Sequence, residues 1–213
     1  MSTVQTTLYK ALPPRPAFFG GLDYGTAGAF SLVDDGLSLV MVASWGPAQR
    51  KRVKGTRLRV YTVADGEQPE AFSTDLSNPM VLGEAVAIAA MNAITHSQNT
   101  NIDLSVEGVY LDKNPQTGIR LGHRSGRMVG VMGFMMGDDD PTITQPVQWR
   151  SALGMKRMKR KEAKAAALRY IPYRVQGLQS ALDVLGAADH IAESAGIALW
   201  GRASWNDRAM AAK

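Results

Sequence analysis

Acidic residues stand at the starts or ends of three separate segments of this 213-residue chain. Asp23 closes an apolar run and precedes the turn YGTAG, and Glu107 lies near the end of a second apolar run. Asp189, His190 and Glu193 open a third segment, which has the composition of a helix. Carboxylates in this number suit Mg²⁺ or Mn²⁺, hard ions that take oxygen ligands and are commonly shared with substrate phosphates.

Each of these residues also has a purely structural interpretation. Asp23 could serve only its own turn, and Glu107 could lie on the solvent face of an alternating strand. Asp189 could cap a helix beside a surface pair of His190 and Glu193. Against this, a carboxylate within an apolar strand is costly unless it is paired or binds a metal. About 100° of rotation per helical residue also places Asp189, His190 and Glu193 on one side of the helix. The coincidence of three such segments favours a shared site.

Other hydrolytic sites fit the sequence less well. The chain has no cysteine and only three histidines, where a zinc hydrolase would be expected to show more. It contains neither a GxSxG nucleophile motif nor a GxxxxGK[ST] phosphate loop.

Composition predicts one ordinary globular α/β domain, with 45% hydrophobic and 20% charged residues. No apolar run reaches eighteen residues, so we expect no membrane partner. The first residues lack the features of a secretory signal, and a cytosolic location is expected.

Basic residues are concentrated in two blocks, and the formal net charge is +5. Residues 50–59 contain six Lys and Arg with no acid, and residues 150–174 contain nine with Glu162 as the only acid. Such blocks suit binding to a phosphate backbone, but they could equally be two solvated faces.

The order of apolar and polar segments predicts three antiparallel strands, then helix, strand, helix, strand and helices. The first strands are AFFGGLD, AGAFSLVDDG and LSLVMVASW, and TITQPVQWR is expected to be a short fifth strand. We divide the chain into a flexible arm (1–16), a domain (17–203) with a basic insert at about 46–75, and a tail (204–213). The insert is expected to be an elaborated loop or hairpin over the sheet.

Three sequence blocks resemble, in order and spacing, those of RuvC-like Holliday junction resolvases. They are GLDYGTAGA, VEGVYLDKNPQTGIRLGHRSGRMVG and DHIAESAGIALWG, and the last is similar to phage-type members in particular. The middle block is the most specific, since an aromatic residue and KNP follow its acid, before a helix that begins with LG. The resemblance covers roughly residues 17–45 and 80–202.

The resemblance implies an RNase H-like fold, with a five-stranded mixed sheet flanked by helices. It implies a homodimer that uses Mg²⁺, with Mn²⁺ as a substitute, to nick two symmetric strands of a four-way junction in DNA recombination or repair. The ends would be 5′-phosphates and 3′-hydroxyls, and other branched DNA could also be cut. If the chain is phage-encoded, it would act in the host cytoplasm.

The resemblance also assigns candidate residues. The catalytic positions fall on Asp23, Glu107 and Glu193, with either Asp189 or His190 as the fourth, and the metal ligands would be Asp23, Glu107, Asp189 and Glu193. Tyr110 falls where the family has an aromatic at the centre of the junction. Further DNA contacts are expected from a set of basic residues: Lys113, Arg120, Arg124, Lys156, Arg157, Lys159, Arg160, Lys161 and Lys164.

The small-residue helix from Ile119 to Met136 is the candidate dimer interface. Its glycines permit close approach and its methionines supply adaptable apolar surface. These residues are Gly122, Gly126, Gly130, Gly133, Met128, Met132 and Met135.

Two other functions stay open. One is an RNase H-like DNA-binding module that has lost catalysis. The other is a phosphate-binding domain of the actin-like or sugar-kinase type, which DYGTAGA also resembles, although 213 residues cannot hold the two domains those proteins need.

Overall fold

The computed structural model describes residues 14–50, 52–108, 115–186 and 188–211. Its strands are β1 (Phe18–Asp23), β2 (Gly28–Asp34), β3 (Leu39–Arg50), β4 (Val53–Thr62), β5 (Gly66–Glu67), β6 (Ala71–Ser73), β7 (Ile102–Glu107) and β8 (Thr142–Thr144). Its α-helices are α1 (Pro79–Ala93), α2 (Pro115–Met136), α3 (Pro146–Ala152), α4 (Arg160–Tyr170), α5 (Leu178–Leu185) and α6 (Asp189–Ala211). Two short 3-10 helices cover Asp75–Ser77 and Ile171–Tyr173. Within these described ranges, no helix combines the length and apolar character needed to span a bilayer.

The strands form one mixed sheet in the order β5-β4-β3-β2-β1-β7-β8, with β6 also paired to β4. The meander from β1 to β4 is antiparallel, whereas β7 pairs with β1, and β8 with β7, in parallel. An antiparallel meander whose first strand carries two parallel strands on its other side is the RNase H-like arrangement. The fold expected from the sequence is therefore confirmed, with eight strands among the described residues rather than five.

Both faces of the sheet are buried. Successive residues of each strand point to opposite faces, and helices pack against both. On one face, Phe30, Leu32 and Met41 pack with helices α1 and α2. On the other face, Val33 and Val42 pack with helices α3 to α6. The central strands therefore lie between two layers of helices.

Helix α6 approaches the centre of the sheet unusually closely, at Gly21 of β1. A Cβ atom on Gly21 would lie 2.0 Å from the Ser194 carbonyl oxygen and 2.4 Å from the Ala198 nitrogen. Beside this contact, the hydroxyls of Ser31 and Ser194 form a buried hydrogen bond of 2.7 Å. Glycine is required at position 21 because any larger residue would push α6 away from β1.

The prediction that TITQPVQWR forms a strand is wrong over most of this segment. Only Thr142–Thr144 is a strand, and Pro146 begins helix α3 at a position where its missing N–H costs nothing. The backbone N–H of Gln145 donates to Oε1 of Gln148 at 2.8 Å, which caps this helix start.

The insert at 46–75, expected to be a loop or hairpin over the sheet, forms a hairpin that belongs to the main sheet itself. Its first part continues β3 to Arg50 and returns as β4, and the pairing of Arg50 with Val53 closes a long two-stranded ribbon. The closing helix also runs further than expected, to Ala211. The boundaries of the arm, domain and tail stay predictions.

Candidate functional site

The ends of two parallel neighbouring strands place Asp23 beside Glu107. Strands β1 and β7 run in register, so that Leu22 pairs with Val106 and the next residue of each strand is an acid. Both carboxylates therefore lie at the carboxyl edge of the sheet, where open α/β sheets commonly bind ligands.

Helix α6 brings the third acid to the same place. Because α6 packs against Gly21, its Glu193 lies under the strand ends with only 2% of its surface exposed. Asp189, one turn earlier, is half-buried at the start of the helix. The charges of Glu107, Glu193 and Asp189 all act on Asp23. The acids predicted from three separate segments are thus brought together.

Two cations reach into this acidic cluster. Arg150 of α3 donates from Nη2 to Oε1 of Glu193 at 2.5 Å. Lys164 of α4 donates from Nζ to the carboxylate of Asp189 and lies 3.5 Å from Oε2 of Glu193. The acids of α6 are therefore paired, whereas within the described ranges Asp23 and Glu107 have no ion pair or side-chain hydrogen bond.

The electrostatic balance differs between the two halves of the cluster. Burial raises the pKa of Asp23 well above its usual value, and the charges of Glu107 and Glu193 raise it further. Burial also raises the pKa of Glu107 to about 7, although Arg150 acts in the opposite direction. Burial therefore outweighs the nearby cations at both strand-end carboxyls, which are Lys164 for Asp23 and Arg150, Arg160 and Lys164 for Glu107.

The half of the cluster on α6 has the opposite character. Burial acts to raise the pKa of Asp189, but the hydrogen bond and charge of Lys164 outweigh it, and the pKa is lowered. Burial acts to lower the pKa of Lys164, but Asp189 and Glu193 outweigh it, and the pKa is raised. Lys164 is therefore charged at neutral pH.

His190 lies between Asp189 and the sheet, with its Nδ1 3.8 Å from Oδ1 of Asp189. Its Nε2 lies 3.0 Å from the hydroxyl of Ser44 on β3. Burial lowers its pKa, the Lys164 charge lowers it further, and the Asp189 charge opposes both. Of the two alternatives for the fourth position, the structure places Asp189 with the other acids and His190 against the sheet.

The donor chemistry of the cluster fits a hard divalent cation, since Asp23 and Glu107 are adjacent oxygen donors with no ion pair among the described residues. Within the described ranges, however, no three acids or histidines already converge as the ligands of one ion. The ion pairs of Arg150 and Lys164 hold the carboxylates of Glu193 and Asp189. Four-fold ligation would therefore require these two basic side chains to move.

No protein-family model matches this chain, and no curated protein sequence matches it. Among solved structures, the chain is similar to a structure of RuvC from Thermus thermophilus, with 14% identity and a TM-score of 0.44 over 91% of this chain and 96% of that one. It is also similar to T. thermophilus RuvC in complex with a Holliday junction substrate, with 14% identity and a TM-score of 0.45 over 90% of this chain and 96% of that one. RuvC is also the family whose sequence blocks this chain resembles.

The predicted DNA-contacting residues differ in their surroundings. Lys156, Arg157, Lys159, Arg160 and Lys161 are exposed on α4 and the segment before it. Arg120 and Arg124 are exposed on α2, where Arg124 donates to the Ser77 carbonyl oxygen at 2.7 Å. Tyr110 and Lys113 lie outside the described residues.

Arg150 is a residue of the site that the sequence analysis missed. The segment was expected to be a strand, which gave no reason to direct Arg150 towards Glu193. The available signal was the Gln-Pro start of a helix followed three residues later by Gln148. A helix beginning at Pro146 carries Arg150 on its second turn.

Proposed function

We propose that this protein is a metal-dependent nuclease that hydrolyses phosphodiesters in branched DNA, with four-way junctions as its substrate. The observation that carries the proposal is the pairing of Asp23 with Glu107 at adjacent strand ends, with raised pKa values and, among the residues that the structure describes, no ion pair for either. Uncompensated buried carboxyls cost stability, and groups with strongly shifted pKa values cluster at functional sites.

Mg²⁺ or Mn²⁺ would be held by Asp23 and Glu107, with Asp189 and Glu193 completing the ligand set. A bound divalent cation supplies an activated water and stabilises charge on the phosphate in such hydrolysis. Burial is the largest cause of the raised pKa values of Asp23 and Glu107, and a cation bound between them would favour their charged forms again.

The cations of the site have a separate task. Lys164 and Arg150 lie beside the acids, and the charge of Arg160 also acts on Glu107. Positive groups fixed next to a phosphate stabilise the charge that develops as the water oxygen bonds to phosphorus and the P–O3′ bond breaks. The water gives up one proton and the 3′ oxygen takes up one, which leaves a 5′-phosphate and a 3′-hydroxyl.

Exposed basic residues around the site would bind the arms of the DNA. Lys156, Arg157 and Lys159 precede the helix that carries Lys164, so phosphates bound there would lie close to the acids. Lys113, Arg120 and Arg124 are proposed as further phosphate contacts. Tyr110 is proposed to stack at the open centre of the junction. The specificity of such an arrangement would come from the shape of the branch rather than from base edges.

We also propose that the protein acts as a homodimer through α2. A shallow groove of about 590 Å³ runs along this helix past Gly122 and Gly126, and a Cβ atom on either glycine would have nothing within 4 Å. Phe134, in the last turn of the same helix, is 83% exposed. A two-fold junction needs two related sites, and a self-complementary face supplies them.

Part of the interface expected from the sequence is wrong. Met128 and Met132 are fully buried in the protein's own core, where they pack with residues of α1 and the sheet. A Cβ atom on Gly133 would lie 2.6 Å from the Asp138 carbonyl oxygen, so this glycine serves an intramolecular contact. The proposed face therefore consists of Gly122, Gly126 and Gly130 with the exposed side chains beside them.

A DNA-binding module without catalysis is the second candidate function. The ion pairs of Arg150 with Glu193 and of Lys164 with Asp189 favour it, because they satisfy two of the four acids without any metal.

Nicking of a labelled four-way junction in Mg²⁺, beside a gel-shift titration in Ca²⁺, tests the proposal. We expect cutting by the unaltered protein, and loss of cutting by several orders of magnitude in Asp23→Asn and Glu107→Gln with junction binding retained. Asp183→Asn is the matched control, since Asp183 lies exposed on α5 and accepts a hydrogen bond from the exposed Gln179. Binding without cutting by the unaltered protein would favour the second candidate, and near-normal cutting by Asp23→Asn would refute the nuclease site.

A further inference from the structure

A small pocket opens at the loop that follows Asp23, on the face of the sheet that packs with α1 and α2. It lies between this loop, the β3–β4 ribbon and the starts of α1 and α2, and its volume is about 190 Å³. We call it the Tyr24 pocket, after the residue next to Asp23 in the chain. Its walls include Tyr24, Trp45, Thr56, Ser77, Leu82 and Arg124.

The aromatic wall of the Tyr24 pocket is fixed to the loop that carries Asp23. The rings of Tyr24 and Trp45 lie 6.5 Å apart at an angle of 44°. Trp45 Nε1 donates to the Gly25 carbonyl oxygen at 3.3 Å, and a Cβ atom on Gly28 would lie 2.6 Å from the Trp45 ring. Tyr24 is half-buried, so part of its ring stays open to the pocket.

The opposite wall of the Tyr24 pocket is polar. Arg124 donates to the Ser77 carbonyl oxygen at 2.7 Å, and its guanidinium also acts on the Tyr24 hydroxyl. The hydroxyls of Thr56 and Ser77 lie 3.1 Å apart. A flat apolar surface faces hydrogen-bonding groups across a narrow space, which is the pattern that reads a flipped nucleobase.

We propose that the Tyr24 pocket holds one unstacked nucleobase of the strand being cut, beside the scissile phosphate. This inference rests on the proposed nuclease function. Tyr24 follows Asp23 directly in the chain, and on this proposal the base held against its ring belongs to the strand whose phosphate lies at the acids. Tyr24 supplies the stacking surface and Arg124 the polar contact, so these two residues determine which base is accepted.

Size and charge both favour this occupant. A volume of 190 Å³ holds roughly six water molecules at about 30 Å³ each, and is below the ~300 Å³ at which pockets for drug-sized ligands begin. The ribbon beside the pocket carries Arg52 and Lys54, which are exposed and have no ion pair among the described residues. These charges would attract the phosphates that flank the bound nucleotide.

The test pairs a change in the protein with a change in the DNA. Four-way junctions that each carry one abasic site, moved stepwise through the nucleotides around the cut, are cleaved in Mg²⁺ and titrated in Ca²⁺. With the abasic site at one position, we expect the cleavage rate of the unaltered protein to fall about tenfold, which is the effect of removing one base–aromatic stack. Tyr24→Ala should cut intact DNA about tenfold more slowly, and an abasic site at that position should slow it no further. Tyr24→Phe should still lose most of the tenfold in rate when the base at that position is removed.

Tyr173→Ala is the matched control, because Tyr173 is 88% exposed in the 3-10 helix before α5, outside the pocket. Thermal unfolding of each variant checks that the fold is retained. Tolerance of an abasic site at every position, or an unchanged tenfold loss in Tyr24→Ala, would overturn the base pocket. If the protein binds junctions without cutting them, the nuclease proposal fails and the same comparison is made in dissociation constants. If it binds no DNA, both proposals fail.

Discussion

Arg150 Nη2 lies 2.5 Å from Oε1 of Glu193, and the Glu193 side chain is only 3% exposed. Removing one partner of such a pair leaves a buried charge without compensation, which typically costs about 3–5 kcal/mol. We expect Arg150→Met to lower the free energy of unfolding by about 3 kcal/mol, since Lys164 still lies near Glu193. The double variant Arg150→Met/Glu193→Gln should recover most of this loss.

Urea denaturation measures this effect, with Arg174→Met as a control at an exposed arginine. Equal loss of stability in the single and double variants would contradict the interpretation of the pair as a charge that must be balanced.

Stability of the metal-free protein should fall as the pH rises from about 4.5 to about 7. Burial raises the pKa of Glu107 from 4.5 to about 7, so the folded state binds more protons than the unfolded state in this window. The stabilisation is present below the unfolded pKa and is lost as the pH passes through the folded pKa. Asp23 acts in the same direction.

The measurement is the melting temperature against pH in a chelating buffer. In Glu107→Gln, the free energy of unfolding should fall less over this pH range, by up to about 3 kcal/mol, which is the free energy that corresponds to a pKa shift of this size. Addition of Mg²⁺ at pH 7 should raise the melting temperature of the unaltered protein more than that of Glu107→Gln. A pH profile that is the same in both proteins would show that Glu107 does not titrate there.

Gly21→Ala should remove activity without touching an acid. The added Cβ would meet the Ser194 carbonyl oxygen and the Ala198 nitrogen, both backbone atoms that cannot turn aside. Helix α6 must then move outward, and Glu193 moves with it, at a cost of about 1–3 kcal/mol for overpacking. Junction nicking and urea denaturation measure the two effects. In the control Gly46→Ala, the new Cβ would have only an ordinary contact of 3.7 Å with Ala27, so both quantities should stay near normal.

Asp189 and His190 should differ sharply on substitution. Asp189 contacts Lys164 within the acidic cluster, so Asp189→Asn should lower the nicking rate about as much as Glu193→Gln does. His190 bonds to Ser44 instead, so His190→Ala should change stability more than the rate constant for cutting. Single-turnover nicking with saturating enzyme separates chemistry from binding. A larger rate loss in His190→Ala would reverse the assignment.

The proposed dimer depends on close approach along α2. Gly126→Leu places a side chain in open space on the monomer, so the fold should tolerate it, but it fills the groove that a second copy would enter. We expect light scattering at micromolar concentration to show a dimer for the unaltered protein and a monomer for Gly126→Leu. Glu84→Leu, at an exposed position of α1, is the control. A monomer in the unaltered protein, with and without junction DNA, would end the proposal.

The ends of the strands were predictable because the apolar runs stop there, and this placed Asp23 and Glu107 at edges of the sheet. Their adjacency was not predictable from pattern alone, because β1 and β7 are separated by more than seventy residues and the register between them depends on packing. The face of α6 followed from helical periodicity. Periodicity places both Asp189 and His190 on that face, and it is the contact of His190 with Ser44 that distinguishes them.

Two parts of the structure were hidden by composition. The ribbon of β3 and β4 was obscured by its Lys, Arg and Gly content, although backbone pairing needs no apolar side chains where strands extend beyond the core. Helix α3 was obscured by the alternation in TITQPVQW, which is typical of a strand, although Pro146 indicates a helix start. The contact of Arg150 was lost with it.

The close approach of α6 to Gly21 also has a consequence for synthesis of the protein. The acids come from positions 23, 107, 189 and 193, so a chain translated only as far as α5 has the strand ends but lacks half of the cluster. The site is completed only when α6 docks against β1, with Ser194 and Ala198 of the helix next to Gly21 of the strand. On the proposed function, a ribosome-bound copy without α6 would be unable to cut DNA, and this capacity would arise only when α6 docks.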